Sequence, residues 1–398
     1  MHFRQRHIQP ILSKRAKIFP VVGLIGPRQV GKTTFLMQEW KTKRSANYVT
    51  LDKSDIFGRA RREPENFLLS ESDNLTKALI IDEVQKVPAL FDSIKSIIDE
   101  RRRMGAFTVS GSVEFSDKAG VRESLAGRIG LCRLYPLTLC ELGKQTFHAP
   151  WVKGFQNHSQ NRKAKEIDMW LKRGGMPIFC ALHDKSEMTL TIDGWLDAVC
   201  YRDIQQLKQG KFEGSVARLI LSSIVREPQI NISKIAQDAG VSRSAISKYL
   251  SALEALFLIY KLPSFSNRRS NPDYVPFDCA MIRHLLGHVD DSFSRHQTMR
   301  TLVINEILAQ HEYSGERRPE ILSYRTRGGA ELDLVLKKKQ GILGVKISIK
   351  SDITPYSIRS MKSFLSKNPS AQGIVLAPVT RRFKIDKSIE VIPWTFIG

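Results

Sequence analysis

The sequence predicts an α/β protein built from several domains, and three observations support this. Short apolar runs rich in β-branched residues alternate with amphipathic helical patterns along the first third of the chain. A glycine-rich segment, GPRQVGKTT, joins one of these runs to a helical pattern. The chain has 398 residues. At roughly 100–200 residues per domain, that length accommodates about two to four domains.

Composition predicts a globular protein with a polyanionic partner. Hydrophobic residues make up 42% of the chain and charged residues 26%, which is typical of a folded rather than a disordered chain. The 62 Lys and Arg residues exceed the 40 Asp and Glu residues, for a net charge of +22. Such an excess favours nucleic acid before a membrane as the partner. The alternative is a basic protein with no such partner.

Cysteine spacing and hydropathy indicate a cytoplasmic location. The five cysteines form no CxxC pair, which argues against a zinc knuckle and a disulfide framework. The basic opening segment MHFRQRHIQPILSKRAK is not followed by an apolar core of signal-peptide length. No apolar run approaches the ~20 residues that cross a bilayer, so we expect no membrane partner.

The segment from Gly26 to Thr34 fits the phosphate-binding pattern GxxxxGK[ST]. It follows IFPVVGLI, which reads as a buried strand, and precedes a helical pattern, which is the context that the pattern requires. Gly26 and Gly31 let backbone N–H groups converge on phosphate oxygens. Lys32 is predicted to reach the β- and γ-phosphates, and the Thr33 hydroxyl to ligate Mg²⁺. The predicted nucleotide-binding residues are Gly26, Pro27, Arg28, Gln29, Val30, Gly31, Lys32, Thr33 and Thr34. The alternative is an ordinary glycine-rich turn.

The acidic pair that nucleotide hydrolysis needs is predicted at the end of ALIIDEVQ. Four apolar residues run into Asp82 and Glu83. Asp82 is predicted to hold Mg²⁺ through water, and Glu83 to orient or polarise the attacking water. Together with the glycine-rich loop, the pair predicts ATPase chemistry with ATP and Mg²⁺ as cofactors.

The elements that follow continue the alternation of strands and helices. ANYVTLD (46–52) is predicted as a strand, ALFDSIKSIIDERRR as a helix, and AFTVSGS as a strand that ends near Ser110 and Ser112. A polar residue at that end is placed to sense the γ-phosphate, and Ser112 is our candidate. A plain turn serine is the alternative.

Six segments occur in an order that resembles the prokaryotic AAA+ ATPase family with a second half of unknown function. They are GPRQVGKTTFL, ALIIDEVQKVP, TVSGS, ESLAGRI, LYPLTLCEL and RGGMP. The resemblance covers nearly the whole chain. It implies a homo-oligomer in which Arg128 is supplied in trans as an arginine finger. A surface or salt-bridged Arg128 is the alternative.

The middle of the chain is predicted to be helical, first as a lid and then as a helix-turn-helix. From Lys165 to about Leu207, Ile192, Trp195, Leu196, Val199 and Ile204 are spaced as one buried face. In ISKIAQDAGVSRSAISKYLSALEALFLI, Ser233 and Ser242 are predicted to cap two helices joined by a turn at Gly240. FLIYKLP resembles the strand of a wing. The residues predicted to face DNA are Arg243, Ser244, Ser247 and Lys248. A protein-contact module is the alternative.

The last third resembles the restriction-endonuclease-like fold, with elements in the order helix, strand, strand, strand, helix, strand. The resemblance implies that Glu306, Asp333 and Lys346 correspond to the helix Glu, the strand Asp and the Lys of (D/E)xK. The acid of (D/E)xK is replaced by Gly344, which offers Mg²⁺ no carboxylate. We therefore predict a degenerate nuclease site.

These observations predict an ATP-hydrolysing AAA+ protein that binds duplex or branched DNA. Two alternatives are an ATP-controlled Mg²⁺-dependent nuclease and a nucleotide-switched scaffold for protein partners. The predicted domains are a P-loop core (1–150), a helical lid (151–209), a winged-helix domain (210–275) and a restriction-endonuclease-like α/β domain (276–398).

Overall fold

The computed structural model describes residues 4–113, 125–155, 164–207, 211–266, 271–339 and 341–398. The chain divides into two compact units. One unit comprises residues 1–147, 255–257 and 312–315, and the other comprises residues 148–254, 258–311 and 316–398.

The first unit is built on a five-stranded parallel sheet. Its strands are β1 (Val21–Ile25), β2 (Asn47–Thr50), β3 (Leu79–Asp82), β4 (Phe107–Gly111) and β5 (Ile129–Arg133), in the order β2-β3-β4-β1-β5. Every residue of β1, β3 and β4 is buried, as expected of parallel strands covered on both faces. Because the strands are parallel, their carboxyl ends lie at one edge. The predicted α/β core is confirmed.

Helices connect and flank these strands. They are α1 (Gln9–Ile18), α2 (Lys32–Phe35), α3 (Lys41–Arg44), α4 (Ser54–Arg62), α5 (Pro64–Glu71), α6 (Ala89–Glu100) and α7 (Leu139–Leu142). A π-helical segment, Leu36–Trp40, joins α2 to α3, so one continuous helical run follows the glycine-rich loop. A 3-10 turn, Val84–Lys86, follows β3. One face of α6 is buried, with Leu90, Phe91, Ile94, Ile97 and Ile98.

The second unit begins with helices. They are α8 (Pro150–Lys153), α9 (Ala164–Arg173), α10 (Pro177–Cys180) and α11 (Lys185–Asp197), followed by a π-helical segment (Ala198–Asp203) and a 3-10 turn (Ile204–Gln206). The face predicted from Ile192 to Ile204 is buried. The structure groups these helices with the C-terminal part of the chain, and the lid role stays a prediction.

Three helices and a two-stranded sheet follow. They are α12 (Gly214–Arg226), α13 (Ile232–Asp238) and α14 (Arg243–Ala255), then β6 (Ile259–Leu262) paired antiparallel with β7 (Asp273–Pro276). Gly240 has a φ of +66° in the turn between α13 and α14, and the Ser242 hydroxyl accepts a hydrogen bond from the Ala245 N–H at 3.1 Å. The predicted cap at Ser233 is wrong. Ser233 already lies inside α13, which Asn231 caps by accepting from the Lys234 N–H at 3.1 Å.

The remainder of the second unit surrounds a six-stranded mixed sheet. Its elements are α15 (Cys279–Leu285), α16 (Ser292–Ser314), β8 (Glu320–Arg325), β9 (Glu331–Lys338), β10 (Gly341–Ile347), α17 (Arg359–Lys367), β11 (Gln372–Ala377), β12 (Phe383–Lys384) and β13 (Ile389–Pro393), with a final 3-10 turn (Trp394–Phe396). The strand order is β12-β13-β11-β10-β9-β8. The predicted element order is observed from α16 to β11, and β12 and β13 were not predicted.

A buried aspartate explains the segment RGGMP. Asp278 is fully buried, and its carboxylate accepts hydrogen bonds from the N–H groups of Gly175 (2.8 Å), Met176 (3.1 Å) and Ala280 (2.8 Å). Gly174 has a φ of +70°, and a Cβ there would lie 2.2 Å from an Asp278 oxygen. Gly174 therefore lets the backbone approach this carboxylate closely, and Gly175 contributes an N–H group to it.

Asp278 is expected to make stability depend on pH. Burial raises its pKa to about 6, although the backbone N–H groups oppose this shift. Because the folded-state pKa exceeds the unfolded value of about 3.9, the contribution is complete below pH ~4 and disappears as the pH rises through about 6. The free energy of unfolding is therefore expected to fall by about 3 kcal/mol over this pH range, at 1.36 kcal/mol per pKa unit.

Urea unfolding between pH 4 and 7.5 measures this pH dependence of the stability. Asp278→Asn should flatten the plot of unfolding free energy against pH. The control Asp184→Asn, at an exposed helix N-cap, should leave that plot unchanged. An identical slope in Asp278→Asn would contradict the assignment.

The cysteines and the apolar helices bear on the class of the protein. All five cysteines lie in the described ranges, and none of them forms a disulfide bond there. Within the described ranges, no helix is long and apolar enough to cross a membrane.

Candidate functional site

The glycine-rich loop joins β1 to α2 and turns where only glycine is tolerated. Gly26 has a φ of 155°, and a Cβ there would lie 2.4 Å from the Leu134 carbonyl oxygen. Gly31, which precedes α2, has a φ of 99°. Side chains other than glycine are disfavoured at both positions, so the two glycines define the curve of the loop.

Lys32 is the first residue of the helical run and is almost completely buried, with 4% of its surface exposed. Its Nζ donates hydrogen bonds to the carbonyl oxygens of Gly26 (2.8 Å) and Pro27 (2.9 Å). The ammonium group therefore lies against the start of the loop. Thr33 and Thr34, by contrast, are exposed.

Asp82, the last residue of β3, lies next to the loop. One carboxylate oxygen, Oδ2, accepts hydrogen bonds from Thr33 Oγ1 (2.6 Å) and from the Tyr48 hydroxyl (2.9 Å). The other oxygen, Oδ1, accepts from the Ser110 hydroxyl. The two residues predicted to serve Mg²⁺, Thr33 and Asp82, are thus in contact through oxygen atoms, which are the ligands that Mg²⁺ prefers.

Tyr48 and Ser110 were not predicted to contact Asp82. Ser110 lies on β4, which separates β1 from β3 in the sheet, whereas Tyr48 lies on β2 at the sheet edge. Burial and the Asp82 carboxylate raise the pKa of Tyr48 above its usual value, so its phenol stays protonated and donates. No local pattern signals these contacts, since 34 and 28 residues separate the partners.

Glu83 follows Asp82 in a strained backbone conformation. Its φ of 59° and ψ of 40° are left-handed, which costs a non-glycine residue roughly 1–2 kcal/mol. Its carboxylate accepts hydrogen bonds from the Gln85 amide and from Ser112 Oγ, the latter at 3.3 Å. Ser112 lies just beyond β4, and its hydroxyl contacts Glu83, the second acid of the pair. Its role as a γ-phosphate sensor stays a prediction.

Arg128 forms an ion pair within the chain. Its Nε and Nη2 donate to the two carboxylate oxygens of Asp99 at 2.8 and 2.9 Å, on a partly exposed surface. This is the salt-bridged alternative, and the role in trans stays a prediction. Glu123 and Ser124 of the segment ESLAGRI lie outside the described residues.

A buried arginine near the start of the chain holds the glycine-rich loop. Arg6 is 4% exposed. Its guanidinium donates to Val30 O within the loop (2.8 Å), to Tyr135 O (2.6 Å) and to Glu141 Oε1 (3.2 Å). Burial by itself would lower the pKa of Arg6, but the Glu141 carboxylate and Tyr313 raise it above its usual value. Arg6 therefore stays charged. Sequence reasoning missed it because it lies in a generally basic segment.

In the second unit, Asp333 and Lys346 are close, as their resemblance to a nuclease site implies. Lys346 Nζ lies 3.7 Å from Asp333 Oδ2, which also accepts from the Ile347 N–H at 2.6 Å. The other oxygen, Oδ1, lies 2.7 Å from His296 Nε2. Burial by itself would raise the pKa of Asp333. The charges and hydrogen bonds of His296, Lys346 and the Ile347 N–H outweigh burial and hold the pKa well below its usual range.

Glu306, the third residue of this predicted set, contacts other groups. It lies on α16 ten residues beyond His296, about 15 Å along the helix axis. Its Oε2 accepts a hydrogen bond from Gln310 at 2.8 Å. In the part of the chain that the structure describes, no group of three or more His, Cys, Asp or Glu residues could hold a metal ion.

Gly344 occupies a packing position beneath α17. A Cβ there would lie 3.0 Å from Leu332, 3.1 Å from Phe364 and 3.2 Å from Met361, all of which belong to an apolar cluster. Its partner in the neighbouring parallel strand, Gly373, is also crowded by Met361. Gly344→Glu is therefore expected to be unfavourable, because the added carboxylate would enter this cluster.

The residues predicted to face DNA lie on one exposed side of α14. Arg243, Ser244, Ser247 and Lys248 are exposed. The opposite side, with Ile246, Tyr249, Leu250 and Leu253, is buried. The pattern of exposure agrees with the predicted helix face, and DNA binding itself stays a prediction.

Three family models match consecutive parts of the chain. Residues 19–143 match a model described as an AAA domain. Residues 164–291 and 297–397 match two models described as domains of unknown function, DUF8612 and DUF4143. The first match shows that the part of the chain with the glycine-rich loop and Asp82 is similar to an AAA domain. The second spans both the predicted lid and the predicted helix-turn-helix.

Two relatives that are described as uncharacterized proteins match most of this chain. One from Mycobacterium tuberculosis is 27% identical over 382 residues, covering 94% of this chain and 80% of that protein. One from Methanocaldococcus jannaschii is 24% identical over 328 residues, covering 79% and 71%. AMPPCP-bound DnaA from Aquifex aeolicus matches with 10% identity and a TM-score of 0.30, over 62% of this chain and 85% of that chain. A TM-score that low does not establish a shared fold.

Proposed function

We propose that the protein binds and hydrolyses ATP with Mg²⁺ in its AAA domain. The observation that carries this proposal is the hydrogen bond between Thr33 and Asp82. It lies beside the glycine-rich loop, where Lys32 Nζ donates to the carbonyl oxygen of Gly26. A catalytic metal–nucleotide site requires a phosphate-binding lysine, a hydroxyl and a carboxylate together, and these residues fit that requirement.

Each residue has a distinct role in this proposal. The loop N–H groups and Lys32 would hold the phosphates, and Thr33 and Asp82 would hold Mg²⁺. Bound ATP·Mg²⁺ supplies the phosphoryl group that is transferred to water. Glu83 orients that water and accepts its proton. Tyr48 and Ser110 hold the Asp82 carboxylate in one orientation by donating to its two oxygens.

ATP turnover by the purified protein, with and without duplex, single-stranded and branched DNA, tests the proposal. Hydrolysis that DNA stimulates supports an ATPase acting on DNA. Slow hydrolysis unaffected by any DNA favours the nucleotide-switched protein scaffold. Absence of both ATP binding and turnover would contradict the proposal.

DNA is proposed to bind α14 in a winged-helix domain formed by α12–α14 and the β6–β7 pair. Three helices followed by an antiparallel strand pair support this, as does the exposed set Arg243, Ser244, Ser247 and Lys248. The net charge of +22 favours a polyanionic partner.

Duplex binding is expected to weaken steeply with salt. Each phosphate contact contributes a log–log slope of about −0.9 on B-DNA, because contacts release counterions. Arg243→Ala combined with Lys248→Ala should make the slope less steep by about 2 if both side chains contact phosphates. Fluorescence anisotropy at several salt concentrations measures this. A slope equal to that of wild type would exclude phosphate contacts by these two side chains.

The C-terminal sheet is proposed to be a nuclease-like scaffold without cleavage activity. Asp333 already contacts His296 and lies 3.7 Å from the Lys346 ammonium group, whose positive charge opposes the entry of a divalent metal. Wild type should therefore leave plasmid, linear and branched DNA uncut in Mg²⁺ or Mn²⁺. Gly344→Glu should not create cleavage and should lower the melting temperature. Cleavage that disappears in Asp333→Ala would instead support the ATP-controlled nuclease.

A further inference from the structure

The carboxyl ends of β10 and β11 border an open groove in the second unit. The groove has a volume of about 800 Å³ and is lined by Ser351, which follows β10, and by residues 378–383, which follow β11. β12, the edge strand of the sheet, continues from this wall as Phe383 and Lys384, and both side chains are exposed. The groove therefore lies beside an open edge of the sheet.

The chain on either side of the groove-lining residues is strongly basic. Residues 346–359 and 378–387 contain seven Lys or Arg and two Asp residues. Lys350, Arg381, Lys384 and Lys387 are exposed, and among the described residues no ion pair engages them. Arg382 differs, because it is bound to the Glu390 carboxylate and to the Phe155 carbonyl oxygen. Arg382 thus stabilises the wall of the groove, while its neighbours face solvent.

Exposed aromatic rings accompany these charges. Phe383 is 41% exposed between Arg382 and Lys384, and Tyr356, in the segment that follows β10, is 82% exposed. Large aromatic side chains usually lie inside a protein. An exposed ring among cations offers a stacking platform for a base beside contacts for its phosphates.

We infer that this groove binds single-stranded nucleic acid, with Phe383 stacking on a base and Arg381 and Lys384 contacting phosphates. Stacking needs unpaired bases, which a duplex does not present. The groove is also formed by loops and a two-residue strand, not by a helix of the kind that enters a major groove. This site is separate in sequence from the helix proposed to contact duplex DNA and does not depend on ATP hydrolysis.

The test measures binding of a fluorescein-labelled oligothymidylate of about 16 nucleotides by anisotropy, without ATP and at several salt concentrations. Phe383→Leu keeps an apolar side chain but removes the ring. It should weaken binding about tenfold and leave the salt slope unchanged. Arg381→Ala combined with Lys384→Ala should weaken binding and make the slope less steep by about 1.4, at about 0.7 per phosphate contact for single strands.

Two matched controls separate this site from general charge and from the helix-turn-helix. Lys14→Ala combined with Lys17→Ala removes the same charge from exposed positions on α1 and should leave oligothymidylate binding near that of wild type. Arg243→Ala combined with Lys248→Ala should weaken duplex binding but not oligothymidylate binding. Thermal melting checks that each variant is folded.

Three results would overturn the inference. One is oligothymidylate binding by Phe383→Leu as tight as that of wild type. Another is a salt slope that the Arg381 and Lys384 substitutions do not change. The third is a duplex of equal length that binds more tightly than oligothymidylate and whose affinity falls by the same factor in Phe383→Leu.

Discussion

Glu83→Gln is expected to abolish ATP turnover while leaving ATP binding intact. The substitution keeps the shape of the side chain but removes the base that accepts a proton from water. General base catalysis contributes about 10²–10⁴-fold, so we expect turnover to fall at least about 100-fold. The contacts of Glu83 with Gln85 and Ser112 do not involve the glycine-rich loop, which is why binding should survive.

Lys32→Ala is the complementary change and should abolish binding. Nucleotide binding by fluorescence titration and phosphate release at saturating ATP distinguish the two variants. Glu65→Gln, an exposed carboxylate in the first turn of α5, is the matched control and should behave as wild type. Undiminished turnover in Glu83→Gln would remove Glu83 from the catalytic site.

Arg6→Met is expected to destabilise the first unit by about 3–5 kcal/mol, because it leaves a buried carboxylate without its counter-charge. Glu141 is 2% exposed, and its Oε1 accepts from both Arg6 Nε and the His7 N–H. The substitution also removes the hydrogen bond to Val30 O, so the glycine-rich loop should bind ATP more weakly. Urea unfolding and ATP titration measure the two effects.

Arg128→Ala is the control for Arg6→Met. It also breaks an Arg–carboxylate pair, but Arg128 and Asp99 are 30% and 46% exposed, and such pairs contribute about 0–1 kcal/mol. The same variant tests Arg128 in trans, because a finger role requires a loss of turnover without a loss of stability. If Arg6→Met costs less than about 1 kcal/mol, the network does not carry the stability assigned to it.

The core of the candidate nucleotide site could be predicted from local sequence. The loop lies between β1 and a helical run, and Asp82 ends β3, as predicted. These features are local, because the spacing of glycines and the length of an apolar run are encoded by neighbouring residues. The buried side of α14 follows from helical spacing for the same reason.

The distant residues that complete that site, and the role of Gly344, depend on long-range packing that local sequence does not encode. Tyr48 and Ser110 reach Asp82 because β2 and β4 flank β3, and Arg6 lies 135 residues from Glu141. Gly344 reads as a missing acid in sequence, yet in the sheet it provides room for Met361 of α17. Such contacts depend on strand order and helix docking, which bring together residues that no local spacing relates.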